Sequence, residues 1–348
     1  MPPPRKGLPA PAAFSIDSMR GSFPVLGQYR RACFSPTIRT VPRLPSRLRI
    51  RHRHPNSVTS ARTRVFRAPA PLRFWHLASL DAPSVALTWS LSFAWAARVR
   101  LPLWVPALLM LAVWAVYVAD RLLDARNGLR SGNLLALRER HLFHWRHRRV
   151  FLPLAVVAAV AAAFLVIALM PTGARERDSV LAAASLVYFT RVHAGRALRP
   201  TFTRGLRPTF PKELLVGLLF TAGCVIPAWS RSAFPVAALL VPSAFFAILA
   251  WLNCHAIDRW EAAANNTAPQ RIAFTACIVA VAGLLAAALL LHVQPRSAAL
   301  LAAGAMAALL LALLDALRDR LAPVALRAAA DLALLTPLLL VPAARLMQ

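Results

Sequence analysis

Beyond residue 73 the chain alternates between long apolar runs and short polar breaks. The runs fall at about 77–97, 101–123, 149–170, 177–190, 212–230, 233–256, 270–292, 297–317 and 322–344. Most approach the roughly twenty residues that a helix needs to cross hydrocarbon. The fourth is shorter, and the sixth and ninth carry polar residues. In hydrocarbon every backbone amide must find its partner within its own segment, so these runs predict helices rather than isolated strands. The expected fold class is all-α: a polytopic membrane helix bundle of about nine transmembrane helices, occupying residues 74–348.

Composition agrees with the pattern, since 58% of the 348 residues are hydrophobic and the mean hydropathy is +0.55. The formal net charge of +28 would suggest nucleic acid in a soluble chain, but its distribution argues otherwise. Much of it lies in residues 1–73, a Pro/Arg/Ser-rich tail without sustained periodicity that cannot bury enough apolar surface to fold alone. That tail reads as a disordered basic segment, a transit peptide or the product of a wrongly assigned start. Most of the remaining charge lies between apolar runs: from Arg138 to Arg149, at Arg191, Arg196, Arg199, Arg204 and Arg207, at Arg259 and Arg271, and at Arg318 and Arg320. With nine spans all these basic loops share one side. By the positive-inside rule that side is cytoplasmic, so the expected setting is an inner or cytoplasmic membrane, with membrane lipid rather than nucleic acid as the partner of the charge. Cys33, Cys224, Cys254 and Cys277 have no metal-ligand spacing, and neither a disulfide framework nor a zinc site is expected.

The chemistry begins with Asp120 and Asp124, at the end of the second run. Carboxylates are expensive there, and two of them four residues apart share one helix face. Such a pair suits Mg²⁺, which usually arrives with phosphate. The sixth run ends on the same expected side with Asn253, His255, Asp258 and Glu261, so two acidic helix ends can face one cytoplasmic cavity. A polar helix end solvated by headgroups accounts for Asp258 and Glu261 equally well.

On these residues the chain resembles the UbiA-type superfamily of intramembrane prenyltransferases, over about residues 75–345. The resemblance implies nine helices, with one Asp-rich motif closing the second and another closing the sixth. Asp120 and Asp124 match the first motif, Asn-x-x-x-Asp-x-x-x-Asp, while Val116 stands at its Asn position. The second motif, commonly Asp-x-x-x-Asp, is met only by Asp258-x-x-Glu261. The implied metal ligands are Asp120, Asp124, Asp258 and Glu261, and the implied cofactor is Mg²⁺. Tyr188, Arg191, Lys212 and Asn253 are the implied substrate-binding residues, with a topogenic role the alternative for Arg191. The implied activity is transfer of an isoprenoid group from an allylic diphosphate to a lipophilic aromatic or quinone-precursor acceptor, with Asp120, Asp124 and Asp258 carrying the chemistry.

Other features have simpler readings. Asp81, before Pro83, reads as a helix cap. His141, His144 and His147 lie among arginines, where an interfacial amphipathic helix is the natural expectation. Gly217 and Gly223 permit close helix approach. A transporter or a noncatalytic membrane binder that keeps the fold is the rival function, since intramembrane carboxylates also serve as ion sites.

Overall fold

The computed structural model describes residues 66–131, 137–193, 212–232, 237–263 and 272–341. Nearly all of the tail, and the loop residues Arg196, Arg199, Arg204, Arg207 and Arg271, lie outside them. The helices are α1 (Ala70–Leu77), α2 (Asp81–Ala96), α3 (Trp104–Arg130), α4 (Glu139–Arg146), α5 (Arg148–Leu169), α6 (Thr172–His193), α7 (Lys212–Trp229), α8 (Ala237–Ala263), α9 (Ile272–Leu290), α10 (Pro295–Leu317) and α11 (Pro323–Ala333). Short 3-10 segments at Arg318–Arg320 and Thr336–Leu340 flank α11. Among the described residues the β structure is one isolated bridge, Phe66 with Leu321.

Among the described residues six helices, α3, α5, α7, α8, α9 and α10, are long and apolar enough to cross a membrane. The all-helical class and the membrane character hold, whereas nine spans are not reached by this measure. The other three predicted runs are also helical, and each falls short for its own reason. α2 has only 16 residues, or about 24 Å of helix against roughly 30 Å of hydrocarbon. α6 starts with Arg175, Glu176, Arg177 and Asp178 crowded into its first two turns. α11 stops after 11 residues, where a turn and a 3-10 segment replace it.

The main core joins α2, α7, α8, α9, α10 and α11. At its centre Trp89 stacks on Phe246, with ring centroids 3.9 Å apart, and the Trp89 indole N–H donates to the Leu334 carbonyl at 2.8 Å. Phe245 wedges between α9 and α10, where a Cβ on Gly283 or Gly304 would come within 2.6 Å of its ring. Gly217 lets α7 meet α8 closely, since a Cβ there would lie 3.0 Å from the Trp251 backbone nitrogen. Gly223 has only an ordinary contact with Leu109. Asp315 ties three helices together: it accepts hydrogen bonds from the Trp260 indole at 2.7 Å and from the Ala273 amide at 2.9 Å, so a residue of α10 holds α8 and caps the start of α9. A smaller cluster of Val118, Leu122 and Ala155, with Trp114 and Phe151, joins α3 to α5. Outward faces remain apolar: Val157, Val160, Phe164 and Ile167 of α5 and Leu285 and Leu289 of α9 are exposed, as lipid contact requires.

One local device positions polar groups. Ser79, just after α1, has φ 56°, and the amide of Leu80 reaches back to the Trp75 carbonyl at 3.0 Å. This is the glycine-favouring helix stop, made here by a serine at a cost of about 1 kcal/mol. The resulting sharp turn returns the chain so that Asp81, opening α2, faces His76 at the end of α1.

Candidate functional site

Asp120 and Asp124 share a face of α3 one turn apart, and the end of α6 brings a third group to them. His193 Nε2 lies 3.0 Å from Asp120 Oδ1, and its Nδ1 lies 3.6 Å from Asp124 Oδ1. One ligand atom from each of these three residues falls within 4.8 Å of the other two. The hydrogen bond to Asp120 raises the His193 pKa, so the imidazolium is favoured and bridges both carboxylates. The carboxylates are only partly covered, at 31% and 42% exposed, so the cluster is open.

Cationic groups ring the pair. Arg121 Nη1 donates to Asp120 Oδ2 at 2.9 Å while its guanidinium packs over the Tyr117 ring at 5.6 Å. Arg140, on α4, adds a second positive charge that acts on both carboxylates. His141 lies 3.8 Å from Asp124 Oδ2, yet this is no charge pair: burial, with the Arg140 and Arg121 charges, lowers its pKa to about 3. The expected interfacial helix therefore exists as α4, but it turns His141 and His144 inward as neutral groups and leaves His147 exposed. His144 is fixed by the Arg140 carbonyl at 2.9 Å and by Ser79 Oγ at 3.4 Å.

The second acidic stretch, on α8, is arranged differently. Asp258 pairs with Lys212, the first residue of α7, at 3.4 Å, and Lys212 also lies 3.5 Å from Glu213. Glu261 pairs with Arg327 of α11 and lies 3.3 Å from Arg138. Neither acid belongs to the Asp120/Asp124/His193 grouping. Asn253 points elsewhere again and donates to Asp331 Oδ1 at 3.1 Å. Tyr188 and Arg191 sit on the last turns of α6, Tyr188 partly buried and Arg191 exposed. His193, two residues further on, is the residue of that helix that reaches the acids, and sequence reasoning passed over it. The one signal was its place two residues after Arg191, just beyond the fourth run.

No family model matches the chain, and neither a characterised protein nor a solved structure does so. The site must be read from its own chemistry. Two adjacent, partly exposed carboxylates suit a hard divalent cation such as Mg²⁺, whereas an imidazole suits it poorly and better serves to orient Asp120. Asp258 and Glu261 lie outside this grouping, so Asp120 and Asp124 are the carboxylates placed to hold an ion together, and one ion fits them rather than two. Counting Arg121, Arg140 and His193 against the two acids, the cluster is net positive, which suits an anionic ligand.

Proposed function

We propose that the chain is a UbiA-like intramembrane prenyltransferase that takes an allylic isoprenoid diphosphate at the open end of α3 and transfers its isoprenoid group to a lipophilic aromatic or quinone-precursor acceptor. The observation that carries this reading is the Asp120/Asp124/His193 cluster with Arg121 and Arg140 acting on it, past the midpoint of an apolar helix long enough to span the bilayer. In this reading the basic ends of the helices face the cytoplasm and α2, α6 and α11 complete a nine-helix bundle.

Asp120 and Asp124 would hold Mg²⁺, which neutralises diphosphate oxygens when bound. The protein's own groups do the rest. Arg121 and Arg140 supply fixed positive charge toward the leaving diphosphate as the allylic carbon–oxygen bond breaks. His193 holds Asp120 in place through its hydrogen bond. Tyr188 lies near Asp120 and Tyr117 packs under Arg121, and the apolar bundle would exclude water from a reactive allylic cation. Asp258 and Lys212, linked to each other, mark the α7–α8 edge from which an acceptor would approach. Asp258 is free to act only when Lys212 turns to the diphosphate.

The pairing of Asp258 and Glu261 with cations supports a second reading, a noncatalytic binder of diphosphate-bearing lipid that keeps the fold. The deciding experiment is Mg²⁺-dependent consumption of allylic diphosphates by purified protein, beside Asp120→Asn and Asp124→Asn. Turnover that both variants lose is expected. Binding without turnover, lost in both variants, selects the binder. Unchanged diphosphate binding in both variants, with no turnover at any chain length, overturns both readings.

A further inference from the structure

A second polar cluster is buried where α1, α2, α8 and α11 meet, apart from the site above. His76 Nδ1 lies 2.7 Å from Asp81 Oδ2 and 3.6 Å from Asp331 Oδ2. One ligand atom from each of the three falls within 4.8 Å of the others. Asn253 completes the group from α8, donating from Nδ2 to Asp331 Oδ1 at 3.1 Å. Trp114 marks the depth: its indole donates to the Ala78 carbonyl at 3.0 Å, and Trp114 precedes Asp120 by six residues on α3, or about 9 Å of helix.

Three features distinguish this cluster from a satisfied buried salt bridge. His76 and Asn253 are 4% and 5% exposed, so bulk solvent does not reach them. The Asn253 Oδ1 has no hydrogen-bond partner among the described residues, although its own amide nitrogen is tied to Asp331. His76 Nδ1 faces two carboxylates at once, 2.7 Å from Asp81 Oδ2 and 3.6 Å from Asp331 Oδ2. Native proteins rarely leave a buried atom such as the Asn253 oxygen unpaired, and an unseen ion is among the standard reasons when they do. Two carboxylates converge on one imidazole, and Arg121 and Arg140 act on them from further off without bonding to either.

We propose that His76, Asp81, Asp331 and the amide oxygen of Asn253 form a buried binding site for a first-row divalent transition-metal ion, which clamps α1, α2, α8 and α11 together. Neighbouring ligands about 2.1 Å from a shared ion lie about 3.0–3.4 Å apart, so His76 would draw back from Asp81, now 2.7 Å away, and close on Asp331, now 3.6 Å away, each by a few tenths of an ångström. One imidazole nitrogen with carboxylate and amide oxygens favours Mn²⁺, Fe²⁺ or Zn²⁺ over Mg²⁺. The ion would give the orphaned Asn253 oxygen a partner. This site does not depend on how Asp120 and Asp124 are read.

The test uses Mn²⁺ as the probe, with the purified full chain in detergent micelles carrying Asp120→Asn and Asp124→Asn to silence the open cluster. Electron paramagnetic resonance counts bound Mn²⁺, and spin-echo modulation reads nitrogen coupling from a histidine ligand. One Mn²⁺ per chain with ¹⁴N coupling is expected. Asp331→Asn and His76→Gln should each weaken it by at least about tenfold, His76→Gln also removing the coupling. Asn253→Asp replaces the amide oxygen by a carboxylate and should tighten binding, a gain that misfolding cannot imitate. Absence of Mn²⁺ from the Asp120→Asn/Asp124→Asn protein, or an affinity indifferent to Asp331→Asn and Asn253→Asp, overturns the proposal.

Discussion

The two polar clusters of the bundle use the same residue types, two aspartates and a histidine, and differ in what surrounds them. Around Asp120 and Asp124, 31% and 42% exposed, water reaches the carboxylates and screens them, so they can be held with spare coordination for an arriving ligand. Around His76 and Asp81, 4% and 8% exposed, each charge depends on its neighbours inside the protein. The open cluster can therefore be altered with little damage to the fold, whereas the closed cluster cannot. The same chemical substitution should strike function at one end of the comparison and stability at the other.

The largest effect is expected at the open cluster and in activity alone. Asp120→Asn should lower diphosphate turnover by at least about a thousandfold, some 4 kcal/mol of transition-state stabilisation, while the melting temperature in detergent moves by less than a few degrees. A variant that loses activity and stability together would break the distinction. Asp331→Ala makes the converse case. It leaves the buried His76 and Asn253 with fewer partners and should cost about 3 kcal/mol of stability, read as a fall in thermal midpoint. If the closed cluster holds an ion, chelator should lower the midpoint of the parent protein and leave that of Asp331→Ala unmoved.

A pH experiment sharpens the contrast at the rim of the open cluster. His141 is buried and neutral with a pKa lowered to about 3, mainly by burial and then by Arg140 and Arg121, against about 6.5 unfolded. The unfolded chain binds the extra proton first, so the stability from this depressed pKa is present above pH 6.5 and is lost as pH falls toward 3. The loss should reach on the order of 2 kcal/mol by pH 4, a discounted share of the full shift. His141→Gln, which cannot take a proton there, should flatten the acid limb of a melting-temperature profile between pH 6.5 and 4.

Legibility in the sequence follows the same division. All nine apolar runs correspond to helices, because an apolar run of this length in lipid has no other way to satisfy its backbone. How deeply α2, α6 and α11 run could not be read, since hydropathy averages over Arg175–Asp178 and cannot see the break after Ala333. Asp120 and Asp124 stood out by spacing on one helix. His193, His76 and Asp331 did not, because each acquires its meaning from a partner at least five residues and often hundreds of residues away. Asp81 departs from the cap expected of it: Leu80 holds the cap position of α2 without a side-chain bond, and Asp81, the first helical residue, accepts the neighbouring Ala82 amide at 2.9 Å while its Oδ2 meets His76 across a turn set by the φ of Ser79.

The smallest predicted effect tests whether the clusters are mechanically separate, because α8 serves both. It carries Asn253 to the closed cluster and, further along, Asp258 to Lys212, the pair proposed above to edge the diphosphate site, and Gly217 of α7 sets how closely α7 approaches it. Gly217→Ala places a methyl group 3.0 Å from the Trp251 nitrogen and 3.2 Å from the Ala247 carbonyl, both backbone atoms that cannot rotate aside. The helices must part by a few tenths of an ångström, at a cost of about 1 kcal/mol. Asn253 is tied across to α11 through Asp331, whereas Asp258 is tied only to α7 through an exposed lysine, so the displacement should fall on the latter. Diphosphate binding should then weaken by about fivefold, the effect of roughly 1 kcal/mol, with Mn²⁺ affinity at the closed cluster unchanged. Equal losses at both would mean that α8 moves as one rigid body and that the two clusters are coupled through it.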